Sequence, residues 1–166
     1  MDNQSNLVWY ACYGSNILYA RFLCYIQGGT FYANAKEYRG CTDKTPPRST
    51  KAIIIPYEMY FGNESGSWLV NGKKAGVAFL DLEKRATTLG RMYLVTEEQF
   101  HEIWEQEGKK ENWYDKIIDL GECDNYPIKT FTSSKRRIPN APSDKYLEVI
   151  CKGYEEIFPD LVSLFA

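Results

Sequence analysis

Apolar and polar positions along the chain change period several times, and each change predicts an element. Leu7 to Cys12 is continuously apolar or aromatic, the pattern of a strand buried on both faces. Ile17 to Gln27 switches to helical spacing, with Leu18, Phe22, Tyr25 and Ile26 on one stripe and Gly28-Gly29 as the stop. Between them stands Tyr13-Gly14-Ser15-Asn16, a strand-to-helix corner in which Ser15 or Asn16 can cap the helix. Gly40 to Thr50, with Pro46-Pro47, reads as a loop. Ala52 to Tyr57, Ala75 to Asp81 and Arg91 to Val95 read as strands, with a turn at Gly62 to Gly66. Thr96 to Glu107 is the best-defined helix: Thr96 and Gln99 form a capping box, Val95 can staple against Phe100, and Gly108 stops it. Trp113 to Asp119 and Ile128 to Phe131 read as strands, and Pro139 to Pro142 as a loop. Ser143 can cap a last helix with the stripe Leu147, Ile150, Cys151, Tyr154 and Phe158, after which Pro159 precedes a short terminal segment.

Strands cluster in the middle of the chain and helices lie near both ends. The prediction is one α+β domain over residues 1–166, with a mixed, strongly curved or closed, barrel-like sheet flanked by helices. At 166 residues and 44% hydrophobic content the chain can bury one substantial core. A net charge of −2 and no basic run beyond Lys135-Arg136-Arg137, read as a solvated turn, argue against nucleic acid. No apolar stretch is long enough to span a bilayer, and Met1 to Asn6 lacks the pattern of a secretory leader, so the expected compartment is the cytoplasm.

Five cysteines without a CxxC indicate neither a disulfide framework nor a zinc site, and no metal is expected. Cys12, Cys24 and Cys151 fall in apolar segments and read as small core residues. The single histidine, His101, falls off the apolar stripe of its helix, which removes the usual base from Ser–His and Cys–His mechanisms.

Two features carry candidate chemistry. The Gly-Ser-Asn corner frees backbone N–H groups at the positive end of a helix, suited to a carboxylate or an oxyanion. On the Thr96 to Glu107 helix, Phe100, Ile103 and Trp104 define the buried face, and position 107 continues that series with a glutamate. Burial would raise its pKa toward a useful range for proton transfer. The alternative is a frayed last-turn residue pointing to water.

Together these pieces resemble the gamma-glutamylcyclotransferase family. Tyr13-Gly14-Ser15-Asn16 with Arg21 resembles its N-terminal signature, and Glu105-Gln106-Glu107-Gly108 its catalytic Glu-Gly segment, with Trp113-Tyr114 beyond. Phe61-Gly62-Asn63, Gly76-Val77-Ala78, and Pro142 to Tyr146 with Ile150 and Gly153 follow in the family order. Cys12 departs from the family's usual alanine, and the region from Gly40 to Gly90 looks longer than in compact members.

The resemblance implies cyclisation of a γ-glutamyl group to 5-oxoproline with release of an amine or amino acid, without cofactor or metal. It makes Glu107 the general acid and base. Tyr10, Ala11, Cys12, Tyr13, Gly14, Ser15 and Asn16 become the pocket lining, and Tyr146 places a hydroxyl against the small-molecule substrate. Read from their pattern alone, Tyr10 and Ala11 are core residues, Tyr13 is either core or contact, and Arg21 is a helix–sheet anchor. A non-catalytic binding module of the same fold and another amide-cleaving or acyl-transfer enzyme are the competing functions.

Overall fold

A computed structural model describes residues 6–33 and 36–160. The readings made on Met1 to Ser5 and on the segment after Asp160 lie outside the described residues. In chain order the elements are β1 (Leu7–Cys12), a 3-10 turn (Ser15–Ile17), α1 (Tyr19–Gln27), β2 (Gly29–Thr30), β3 (Glu37–Tyr38), β4 (Thr50–Ile55), β5 (Glu58–Val70), β6 (Lys73–Asp81), β7 (Thr88–Thr96), α2 (Glu97–Glu107), β8 (Lys116–Cys123), β9 (Tyr126–Thr132) and α3 (Asp144–Ile157).

The six apolar residues of β1 take the centre of a five-stranded sheet ordered β4-β7-β1-β9-β8. β1 runs antiparallel to β7 and parallel to β9, so the sheet is mixed. All six are buried, as a strand covered on both faces requires. β5 and β6 form a separate two-stranded sheet. The Thr132 hydroxyl ties it to the main sheet by accepting from the Leu80 N–H (2.9 Å). The fold is α+β as expected, but the described ladders end on two edges, β4 and β8, and none closes a barrel.

Several local expectations need correction. Gly62 to Gly66 is not a turn: it lies inside β5, which absorbs its irregular positions as register shifts between Gly62 and Ser65 and again before Leu69. The hairpin turns instead at Asn71-Gly72, both with positive φ (50° and 78°), the geometry of a two-residue hairpin loop. Trp113 and Tyr114 precede β8 rather than opening it, and β4 begins and ends two residues early.

The face of α3 is rotated from its predicted stripe. Its buried residues are Tyr146, Val149, Ile150 and Gly153, whereas Leu147 and Cys151 are exposed. The contact is made by backbone approach. A Cβ on Gly153 would lie 2.7 Å from the Leu18 nitrogen and 2.8 Å from the Ile17 carbonyl carbon. Bare backbone at that point lets α3 press against the Ser15–Ile17 turn.

Candidate active site

The corner after β1 is a 3-10 turn rather than the first turn of α1. Its hydrogen bonds run from Ile17 N–H to the Gly14 carbonyl and from Leu18 N–H to the Ser15 carbonyl, 3.2 Å each. Neither Ser15 nor Asn16 caps α1: Leu18 holds the N-cap position without a side-chain bond. The turn is fixed from behind. Tyr93 Oη donates to the Asn16 carbonyl (2.8 Å), and Arg91 Nη1 donates to the Ile17 carbonyl (2.8 Å) and to Glu156 (2.7 Å). With those carbonyls engaged, the leading N–H groups of the turn remain the donors that open a helical turn.

The Asn16 side chain works in the site instead of capping. Its Nδ2 donates to Glu107 Oε1 at 2.5 Å and to Tyr10 Oη at 3.1 Å. Glu107 therefore does not fray to water. α2 carries the predicted capping box at Thr96 and Gln99, with Val95 and Phe100 both buried. At its other end Gly108 (φ 131°) caps the helix, and its carbonyl accepts the Tyr114 N–H (3.0 Å). Trp104 Nε1 donates to the Tyr114 carbonyl (2.5 Å), so the final turn of α2 is pinned where Glu107 faces inward. Burial pushes the Glu107 carboxyl above its ordinary pKa, against the opposing pull of Arg21 and the hydrogen bond from Asn16.

Both groups line a cavity of about 70 Å³ that shares Lys36, Ser67 and Trp68 with a broader groove of about 610 Å³. Tyr146 reaches it from α3. Its hydroxyl oxygen accepts the Ala78 N–H at 3.0 Å, leaving its own proton to donate. A Cβ on Gly14 would lie 2.7 Å from that oxygen, so glycine is what allows the tyrosine to seat on the corner.

Of the residues named from sequence, Tyr10, Cys12, Tyr13, Gly14, Ser15, Asn16, Glu107 and Tyr146 line the cavity. Ala11 is fully buried and does not, because adjacent strand residues face opposite sides. Tyr13 is as much anchor as wall, since its hydroxyl donates to the Phe131 carbonyl (2.9 Å). Tyr10 stacks between Phe22 and Phe131. Burial pushes the Cys12 thiol far up, and it donates to the Arg91 carbonyl (3.2 Å), so no thiolate nucleophile is available there.

Arg21, Tyr25, Lys36, Tyr38 and Trp68 also line the cavity and were not assigned to it from the sequence. Arg21 ties α1 to β3 as the helix–sheet anchor expected, Nη2 donating to the Tyr38 hydroxyl (2.6 Å), and it also faces the cavity. Its guanidinium sits over the rings of Tyr25 and Tyr38, at 4.8 and 4.6 Å from their centroids. The available signal was position: 21 falls on the same stripe as Leu18, Phe22 and Tyr25. His101 is exposed, as predicted. Among the described residues no three His, Cys, Asp or Glu side chains converge as metal ligands would.

A solved gamma-glutamyl cyclotransferase superposes on 95% of this chain and 85% of its own, with a TM-score of 0.65 at 18% identity. The chain has the gamma-glutamyl cyclotransferase fold. An uncharacterized Homo sapiens protein of known structure matches this cyclotransferase fold equally well, at TM-score 0.65 and 18% identity over 96% of this chain and 86% of that one. YkqA of Bacillus subtilis matches over 96% of this chain and 53% of its own, at TM-score 0.60 and 20% identity. By sequence, the chain is 35% identical over 159 residues to Histone deacetylase 5 of Arabidopsis thaliana; this covers 93% of the chain but 23% of the plant protein. The chain thus spans under a quarter of that relative's length. No protein-family model matches the chain.

Proposed function

We propose that the chain is a cyclotransferase that converts a γ-glutamyl amide to 5-oxoproline and releases the amine or amino acid. The single observation that carries the reading is the 2.5 Å bond joining Asn16 of the corner to a half-buried Glu107 in one cavity. In the reaction, the free α-amine attacks its own γ-carbonyl carbon. A new C–N bond closes the five-membered ring, and the original amide C–N bond breaks. Glu107 takes the proton that the attacking amine sheds and returns one to the leaving amine, a role for which a raised pKa is suited.

The leading N–H groups of the corner polarise the γ-carbonyl oxygen, and the free proton of Tyr146 adds a donor beside them. Ring closure is intramolecular, so the walls mainly hold the substrate folded for attack. The groove beyond Trp68 takes the leaving group. A cytoplasmic setting belongs to the same proposal, on the ground that all five cysteines are free.

The test is direct. Purified protein is offered γ-glutamyl-amino acids, γ-glutamylamines and glutathione, and 5-oxoproline is measured. Turnover that disappears in Glu107→Gln supports the assignment; turnover that survives it removes Glu107 from the mechanism. The name of the plant relative suggests a second amide substrate, an acetylated lysine, for that longer protein. Acetyl-lysine peptides are the control, and no acetate is expected from this chain. Free glutamate in place of 5-oxoproline would indicate hydrolysis by water, and binding without any product would indicate a non-catalytic module.

A further inference from the structure

Four buried side-chain atoms among the described residues lack a hydrogen-bond partner: Asn16 Oδ1, Arg21 Nε, Arg21 Nη1 and Thr130 Oγ1. All four belong to residues that line the one cavity holding Glu107. Buried polar atoms are nearly always paired, so such a cluster marks a place shaped for an occupant.

Arg21 dominates the cluster. It is only 2% exposed, yet it has no ion-pair partner among the described residues. Its Nη2 donates to Tyr25 Oη (3.0 Å) and Tyr38 Oη (2.6 Å), and its charge rests against aromatic rings. Those contacts orient the guanidinium but leave Nε and Nη1 without an acceptor, and the one opposing charge acting on it from the cavity is Glu107. Buried N–H groups left unpaired are costly, which an anionic ligand accepting from them would relieve.

The remaining polar groups define the rest of the ligand. Asn16 Oδ1 and the Glu107 carboxylate are acceptors, suited to an ammonium group. Unpaired donors and acceptors in one cavity complement a molecule that carries a carboxylate and an amine on adjacent atoms.

We infer that Arg21 binds the α-carboxylate of the substrate and so restricts the site to γ-glutamyl compounds with a free α-amino-acid head. This deepens the cyclotransferase reading and rests on it for the identity of the acyl group. Arg21 acts as a specificity-determining residue: it holds the carboxylate so that the adjacent amine faces Glu107, and takes no part in proton transfer.

Two rings that differ only in the carboxylate, 5-oxoproline and 2-pyrrolidinone, provide the binding test by calorimetric titration. Wild-type protein should bind 5-oxoproline about 10- to 100-fold more tightly, as expected for a charge-assisted hydrogen bond. Arg21→Met should lose that preference, and Arg21→Lys should keep part of it. Equal affinity for the two rings, or no measurable binding of either, overturns the inference even if the variants do not fold.

The kinetic counterpart compares γ-glutamyl amides with 4-aminobutanoyl amides. Arg21→Met should raise KM for the first about 10- to 100-fold with little change in kcat, leaving the second unaffected. Wild-type protein that cyclises both equally would sink the role of Arg21 and leave the cyclotransferase reading standing. Carboxylate-dependent binding without any 5-oxoproline formation would do the reverse.

Discussion

Glu107 occupies the last turn of α2, where the helix dipole is negative, in a cavity walled by tyrosines. Both circumstances penalise its charged form, and burial is the larger cause of its raised pKa. A carboxyl whose folded pKa lies above its unfolded value favours folding at low pH and loses that contribution as pH rises through the folded value. Glu107→Gln should therefore raise the melting temperature at pH 8 relative to wild type, and raise it less at pH 4. Thermal scans at the two pH values check this. If Glu107 is the base, the acid limb of kcat/KM should lie above the ordinary glutamate range of about 4.3. Tyr146 permits a second prediction at this scale. Tyr146→Phe removes the acceptor of the buried Ala78 N–H, which should destabilise by about 1–3 kcal/mol. By removing one donor to the developing oxyanion it should also lower kcat, by up to about 10²-fold.

The elements show where pattern reading succeeds and where it stops. β1 and the capping box of α2 were legible because side-chain hydrophobicity and short-range hydrogen bonding decide them. The face of α3 was not, because its decisive contact is the absence of a side chain at Gly153. A stripe of Leu147, Cys151 and Tyr154 looked more apolar than one containing glycine. Gly153→Ala should cost about 1–3 kcal/mol by pushing α3 off the Ser15–Ile17 turn, and should reduce activity because Tyr146 rides on the same helix. Chemical denaturation with parallel assays reads both effects. Thr96→Ala should cost about 1 kcal/mol by loss of the cap at the far end of α2. Arg21 was legible as a helix–sheet anchor, which its bond to Tyr38 of β3 bears out; that the same guanidinium lines the cavity was not legible, because Tyr38, Trp68 and Glu107 reach it from distant parts of the chain.

At the scale of the molecule, the site is assembled from parts far apart in the chain. The sheet contributes the corner after β1, α2 brings the carboxylate, the β5–β6 hairpin adds Trp68 and Ala78, and α3 adds Tyr146. The long hairpin, read from the sequence as a turn at Gly62 to Gly66 and a strand at Ala75 to Asp81 within a lengthened region, forms a wall of the cavity. Because its turn lies at Asn71-Gly72 rather than at Gly62 to Gly66, β5 runs on far enough for Ser65, Ser67 and Trp68 to face the site. The same arrangement leaves Cys12 sealed in the wall while Cys151 lies exposed on the opposite side of α3 from its buried face. Alkylation of native protein at neutral pH, read by mass spectrometry, should label Cys151 and spare Cys12. The measurement that bears most directly on the whole account is 5-oxoproline release from γ-glutamyl substrates by wild-type protein and by folded Glu107→Gln. The account predicts product from wild type and a loss of at least about 10²-fold in the variant. Undiminished 5-oxoproline release by Glu107→Gln, or none from wild type with any γ-glutamyl compound, would contradict it.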